Sequence, residues 1–283
     1  MTLANVRIGA VLFVLTTLPS TLLAHRQWLL PSSTVLSNAG AWVTVDAAVS
    51  NELFYFDHVP LRLSNLKITG PDGGEAKPEN AATGKYRSTF DVQLSIPGTY
   101  RIATVSNMVM ARWKENGEEK NWRGPAAEFT GKAPAGASEL AISTMNSRVE
   151  TFVTVGKPSN RACEPTGKGL ELVPVTHPND LIAGKAATFQ FLLDGKPAAG
   201  LEVTLIPGGI RYRDQLHEIR AQTGSDGRFT TTFKEPGMYW LNAATAPARP
   251  AGPGAAPVGP SGPPRMPVGD RSSYTATLEV LPE

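Results

Sequence analysis

The sequence has only one cysteine, Cys163, so it cannot form an intramolecular disulfide. It also lacks an excess of either charge, with 27 lysines and arginines against 25 aspartates and glutamates. There is therefore no electrostatic basis for binding nucleic acid or an anionic membrane. The HExxH, CxxC, GxSxG and GxxxxGK patterns are all missing. Without a recognisable catalytic or phosphate-binding motif, the sequence predicts a protein that is not an enzyme.

The first 24 residues have the features of a signal peptide. Arg7 is the only charge, an apolar run extends from Ile8 to Leu18, and Ala24 places a small residue before a cut. The run is shorter than the roughly 20 residues that a membrane-spanning helix needs, and no second such run follows. We predict cleavage after Ala24, a mature chain that begins at His25, and a soluble periplasmic or secreted protein without stable membrane insertion.

Glycine (27) and proline (24) separate short runs of β-branched and aromatic residues, which is the pattern of an all-β protein. We predict two Ig-like antiparallel β-sandwich domains in tandem, at 25–155 and 169–283, with separate sheets and a linker at 156–168. The halves share a motif in which a strand ends at a Pro-Gly turn and a second strand follows. The motif occurs at Gly84–Ile102 and at Gly227–Leu241 and predicts an equivalent hairpin in each domain.

Two segments depart from the short-strand pattern. Ser106 to Phe129 carries Trp113, Trp122 and a charged turn, and predicts a long hairpin that extends from the first domain. The segment 247–269 is almost entirely proline, glycine and alanine, so it cannot form a core and predicts a disordered loop.

The predicted mature N-terminus is a candidate metal ligand. The α-amine and imidazole of a terminal histidine can chelate one Ni(II), Co(II), Cu(II) or Zn(II) ion. Two ligands rarely complete a site, so His58 is the preferred third ligand, with Asp57 and Glu52 as oxygen donors behind it. The alternative for His25 and His58 is that they are ordinary terminal and loop residues. The two other histidines, His177 and His217, lie in polar turns and are predicted to have no part in this site.

Ordered blocks of the sequence resemble the DUF4198 family. The resemblance is carried by five blocks: Ala24–Pro31, Gly169–Pro178, Asp194–Pro197, Asp226–Phe229 and Pro236–Leu241. Members of this family are described as periplasmic proteins associated with cobalt or nickel transport systems. The family's leading histidine corresponds to His25. The resemblance thus implies a metal-handling role, but it implies no further ligands.

We therefore predict a periplasmic accessory protein of a nickel or cobalt uptake system, whose partners are a metal ion and a membrane permease or outer-membrane receptor. Two alternatives remain open. The Trp113 to Trp122 excursion predicts instead a metal-free module that binds an envelope protein or glycan. A histidine pair at the terminus is also the donor set of a copper-dependent oxidative enzyme, and only His58 is placed to supply its second histidine. Metal titration of the processed protein separates the first prediction from the metal-free module.

Overall fold

The computed structural model describes residues 25–245 and 269–283. These residues form nineteen strands and four 3-10 helices, and they contain no α-helix. The predicted signal peptide and nearly all of the predicted loop at 247–269 lie outside the described residues. Within the described ranges, no helix is long and apolar enough to cross a membrane.

Eleven strands precede residue 156: β1 (Arg26–Pro31), β2 (Val35–Leu36), β3 (Ala41–Ser50), β4 (Val59–Pro60), β5 (Leu66–Thr69), β6 (Glu75–Ala76), β7 (Glu79–Thr83), β8 (Ser88–Leu94), β9 (Gly98–Glu115), β10 (Glu118–Pro125) and β11 (Ser138–Val155). Eight follow it: β12 (Leu170–Pro174), β13 (Ala186–Leu193), β14 (Lys196–Pro197), β15 (Glu202–Pro207), β16 (Ile219–Gln222), β17 (Arg228–Thr232), β18 (Gly237–Ala244) and β19 (Arg271–Val280). The 3-10 helices are Ala126–Glu128, Arg161–Cys163, Pro178–Asp180 and Ile210–Tyr212.

The described strands form three sheets. A five-stranded sheet has the order β1-β3-β8-β7 with β4 on β3, and a four-stranded sheet has the order β12-β13-β14 with β17 on β13. The third sheet has ten strands in the order β16-β15-β18-β19-β11-β9-β5-β6, with β10 on β9 and β2 on β11. The two smaller sheets pack against opposite halves of this large sheet.

Each half of the large sheet encloses its own apolar core. Alternating residues of the strands supply both cores, because successive side chains in a strand point to opposite faces. The first core includes Val45, Phe90 and Ile102, and the second includes Phe189, Phe191 and Tyr274. These packed layers confirm the prediction of an all-β protein built from β-sandwiches.

The prediction that the halves have separate sheets is wrong. β11 from the first half pairs in parallel with β19 from the second, from Met145↔Arg271 to Thr151↔Thr277. The short β11–β2 pair is also parallel, and the remaining strand pairs of the large sheet are antiparallel. The sheet therefore runs through both halves. The division into domains at 156–168 stays a prediction.

The repeated motif is present, but it is not a hairpin within one sheet. β8 and β9 belong to different sheets, and so do β17 and β18, so each Pro-Gly turn carries the chain across its sandwich. Gly98 and Gly237 both have φ 135°, which favours glycine. The Tyr100 hydroxyl donates to the Ile96 carbonyl at 3.0 Å, and the Tyr239 hydroxyl donates to the Glu235 carbonyl at 2.9 Å. The two halves therefore repeat the same turn and the same tyrosine contact.

The segment around Trp113 and Trp122 does form a long hairpin. β9 and β10 pair from Met108↔Pro125 to Glu115↔Glu118. Asn116 (φ 51°) and Gly117 (φ 80°) make the turn between them, as a two-residue hairpin loop requires. Trp113 packs in a small cluster with Val109, Ala111 and Trp122. This hairpin thus has a local core apart from the two main ones.

Candidate functional site

The structure brings His25 and His58 together at the end of β3. His25 immediately precedes β1, whose first pair is Arg26↔Ser50, and His58 immediately precedes β4, whose first pair is Val59↔Val49. β1 and β4 lie on opposite edges of β3. Both histidines therefore project beyond the same strand end and meet across it.

The two imidazole rings are stacked face to face. Their centroids are 3.8 Å apart and their planes differ by 4°. A metal ion lies in the plane of each imidazole that ligates it, at about 2.0–2.1 Å from the nitrogen. No ion can lie in two parallel planes this far apart, so ligation by both rings requires at least one ring to turn about its side-chain bonds. The stack shows that the two rings are within reach of one ion, but it is not itself a ligating geometry.

Asp57 and Glu52 make other contacts. The Asp57 carboxylate accepts hydrogen bonds from the backbone amides of Asn51 at 2.9 Å and Glu52 at 3.2 Å, and so holds the loop that presents His58. The Glu52 carboxylate lies 3.6 Å from the Arg211 guanidinium, which stacks on Tyr55. Among the described residues, no group of three or more His, Cys, Asp or Glu side chains is arranged to hold a metal. The oxygen-donor role of Asp57 and Glu52 therefore stays a prediction.

The start of β1 is held by the second half of the chain. The Trp240 indole donates to the Gln27 carbonyl at 2.9 Å, and the Arg26 guanidinium lies 5.8 Å from the centroid of the Trp240 ring. Arg26 also donates to the Asn51 carbonyl at 2.7 Å. Trp28, which is fully buried, donates to the Ser50 hydroxyl at 2.8 Å. These contacts anchor the first strand and so fix the direction of the chain at His25.

A cleft opens beside His25 at the junction of the two halves. It has a volume of 490 Å³ and is lined by His25, Arg26, Glu218, Arg220, Trp240 and Arg271, among other residues. Burial lowers the pKa of Arg26, and the charge of Glu218 acts in the opposite direction. The histidine pair thus has a neighbouring space that a further ligand can enter.

The sequence analysis missed a buried group of charges at the junction of β11 and β19. Arg148 lies between two carboxylates, with Nη1 2.8 Å from Glu150 Oε1 and Nη2 3.2 Å from Glu171 Oε1. The Tyr274 hydroxyl donates to Glu150 at 2.7 Å, and the Arg101 guanidinium lies 3.9 Å from Glu150. All five side chains are buried. The only signal in the sequence is the two charges at Arg148 and Glu150 in the second half of β11, whose one other charged residue is Glu139 near its start.

The charges of this group shift one another's titration. Burial would lower the pKa of Arg148, but Glu150 and Glu171 raise it above the ordinary value. Burial would raise the pKa of Glu171, but hydrogen bonds from Thr166 and Gly167 and the charge of Arg148 lower it. Burial and the charge of Glu150 raise the pKa of Tyr274 well above its usual value. The group is therefore ionised at Arg148 and Glu171 and neutral at Tyr274 near neutral pH.

The other two histidines and the cysteine lie elsewhere. His177 Nδ1 accepts from the Asn179 amide at 3.1 Å, so it caps the short 3-10 helix that follows. His217 is exposed in a loop and has a positive φ of 50°. Cys163 is buried, and burial raises the pKa of its thiol to about 11. None of the three contacts the His25–His58 pair.

The fold and this site together define a β-sandwich protein with a histidine pair at the start of its first strand. The chain belongs to the DUF4198 family, since the family model described as "Domain of unknown function (DUF4198)" matches residues 22–246. The match confirms the resemblance seen in the sequence. The description of the family does not mention nickel or cobalt.

Comparison with curated proteins finds no match. Among solved structures, the D0-D1 domain of intimin is 13% identical, with 89% of this chain and 97% of that chain covered and a TM-score of 0.22. The ligand-binding domain of human OSCAR is 14% identical, with coverage of 91% and 100% and a TM-score of 0.20. A DUF4785 family protein from Legionella pneumophila is 12% identical, with coverage of 76% and 51% and a TM-score of 0.22. At these TM-scores the similarities add nothing to the architecture already described.

Proposed function

We propose that this protein binds a divalent transition-metal ion in the periplasm as an accessory of a nickel or cobalt uptake system. The contact between His25 and His58 supports the proposal, because it joins the predicted first residue of the mature chain to a second imidazole. After cleavage at Ala24, the site would offer three nitrogens: the His25 amine, the His25 imidazole and the His58 imidazole. Such nitrogen donors suit Ni(II), Co(II) and Cu(II).

The metal is cargo in this proposal, and the protein performs no catalytic step. The amine and imidazole of His25 close a chelate ring, and rotation of the His58 ring out of the stack completes the three-nitrogen set. Asp57 acts by holding the 51–58 loop. The cleft beside His25 leaves a side open for transfer to a membrane permease or outer-membrane receptor.

The test compares the mature protein with a form that carries one extra alanine ahead of His25. All side chains remain in the extended form, but its amine is moved away from the imidazole. Isothermal titration with Ni(II) and Cu(II) is expected to show roughly 10- to 100-fold weaker binding by the extended form. His25→Ala and His58→Ala should lose a similar factor. Binding should also weaken as pH falls, because protons compete with the metal for the nitrogens.

His217→Ala and His177→Ala are the matched controls, since both remove an imidazole that does not contact the pair. They should bind as the mature protein does.

Equal affinity in the mature and extended forms would exclude the terminal chelate. In that case the metal-free binding module becomes the better hypothesis. The hairpin of β9 and β10 supports that alternative, because the outer edge of β10 has no partner strand among the described residues and could pair with an extended segment of another protein.

The same histidine pair also supports the copper-enzyme alternative, which needs an N-terminal histidine and a second imidazole on one ion. The two hypotheses differ in reactivity. Copper-loaded protein supplied with ascorbate and oxygen should produce no more hydrogen peroxide than free copper if the protein only carries metal. Peroxide production that depends on both His25 and His58 would favour the enzyme.

A further inference from the structure

A second cleft lies on the outer face of the large sheet. It shares Ser147 and Ser273 with the cleft beside His25, but neither histidine of the pair lines it. It has a volume of 570 Å³, within the range of small-molecule sites. Its floor is formed by β9 and β11, with β5 and β19 at the sides, and the segment from Thr166 to Leu170 forms a wall. Alternation along β9 explains the lining: Tyr100 and Ile102 face the core, while Arg101, Ala103 and Val105 face the cleft.

The lining carries positive charge only. Four cationic side chains reach it, Lys67, Arg101, Arg148 and Lys168, and no carboxylate side chain is among its described lining residues. Two acids that contact these arginines, Glu150 and Glu171, are buried behind it with 1% and 2% of their surface exposed. Counting these six groups gives four positive and two negative charges, a net charge of +2. The cleft therefore favours an anion.

Both carboxylates are already committed to other donors. Glu171 accepts from the amides of Thr166, Gly167 and Lys168 as well as from Arg148. Glu150 accepts from Tyr274 and Arg148. They neutralise part of the arginine charge and fix its position, but they do not occupy the cleft.

Arg101 retains unused donors. A guanidinium has five N–H groups; within the described residues Arg101 donates one hydrogen bond, to the Glu164 carbonyl at 3.0 Å, and its Nε lies 3.9 Å from Glu150. Arg101 is 7% exposed and lines the cleft, so its remaining donors are presented there. Lys67 and Lys168 are exposed at the rim and have no ion-pair partner in the described part of the chain. A buried cation with unused donors is costly unless a ligand or water satisfies it.

We propose that this cleft binds a small organic anion that carries two or more carboxylate groups. Arg101 is placed to bind one carboxylate with its planar N–H groups, a geometry that suits carboxylates. Lys67 and Lys168 attract a second anionic group at the rim. The apolar side chains of Ala103 and Val105 in the floor and of Leu170 in the wall contact the carbon skeleton, which a bare inorganic anion lacks. The amides and hydroxyls of Asn107, Asn146 and Ser273 add neutral hydrogen-bonding groups.

The test uses citrate as the organic probe, with inorganic phosphate and uncharged glycerol as comparison ligands, on metal-free full-length mature protein. Isothermal titration at low salt should show citrate binding that weakens as salt is raised. Citrate should bind more tightly than phosphate, and glycerol should not bind. Lys67→Gln and Lys168→Gln should each weaken citrate binding about threefold, and the double variant about tenfold.

Lys185→Gln is the matched control, because Lys185 is an exposed lysine outside the cleft lining. It should bind citrate as the parent protein does, and His25→Ala should do the same, which separates this site from the proposed metal site. Urea unfolding of every variant checks that the fold is kept. The proposal is overturned if citrate does not bind at millimolar concentration, if phosphate binds as tightly as citrate, or if the two cleft lysines can be replaced without loss.

Discussion

Replacing Arg148 tests whether the buried charge group joins the two halves of the molecule. Arg148 lies on β11, and it contacts Glu150 on the same strand and Glu171 on β12. Arg148→Met keeps a long side chain but leaves two buried carboxylates without their main cation. Removing one partner of a buried ion pair costs about 3–5 kcal/mol. Glu150 keeps Tyr274, and Glu171 keeps its backbone donors, so we expect the lower end, about 3 kcal/mol.

The measurement is urea unfolding at neutral pH, followed by tryptophan fluorescence. For a cooperative unit of 150–250 residues, this loss corresponds to a melting temperature lower by roughly 6–12 °C. Tyr274→Phe removes a single hydrogen bond to the same charged group and should cost about 1.5–3 kcal/mol. Arg161→Met is the control, since Arg161 and its partner Glu164 are exposed at 60% and 55%. Loss of an exposed ion pair of this kind should lower the free energy of unfolding by less than about 0.5 kcal/mol. An Arg148→Met effect no larger than that of Arg161→Met would refute the role given to the buried group.

Two further predictions concern single side chains. Cys163 is buried, and burial raises the pKa of its thiol to about 11. A thiol reagent should therefore label the native protein slowly and the urea-unfolded protein at once. Stoichiometric labelling of the native protein within minutes would contradict this. The pKa of Glu171 is lowered in the folded protein, so its ionised form stabilises the fold above the ordinary carboxyl pKa, near 4.3, and this contribution is lost as pH falls through the lowered value. In denaturant titrations at pH 7, Glu171→Gln should therefore have a lower free energy of unfolding than the parent protein, and this difference should shrink below about pH 4. A difference that stays constant from pH 7 to pH 3 would show that Glu171 acts through packing alone.

Several structural features were predictable because their signals are local. Alternating runs that end at turn residues predict strands, and the structure has strands at such runs, for example at Trp42–Ala47 in β3 and at Glu202–Ile206 in β15. The charged turn between Trp113 and Trp122 predicted a long hairpin, and the structure has one there. The pairing of His25 with His58 was also inferred, but from metal chemistry rather than from any pattern in the sequence. Whether the two imidazole rings meet depends on the register of β1 and β4 against β3.

By itself, the sequence determined the strand class, the turns, the repeated Pro-Gly-x-Tyr unit and membership of the family, since each depends on residues close together in the chain. Only the tertiary structure decided how the halves join. β11 and β19 pair across a separation of 126 residues, and an alternating strand carries no mark of which distant edge it will meet. The same pairing buries Arg148 and Glu150 beside Tyr274, so charges typical of an exposed strand face became part of the interior. The cationic cleft follows from that burial, because its cations come from strands and a connecting segment that meet only in the folded chain.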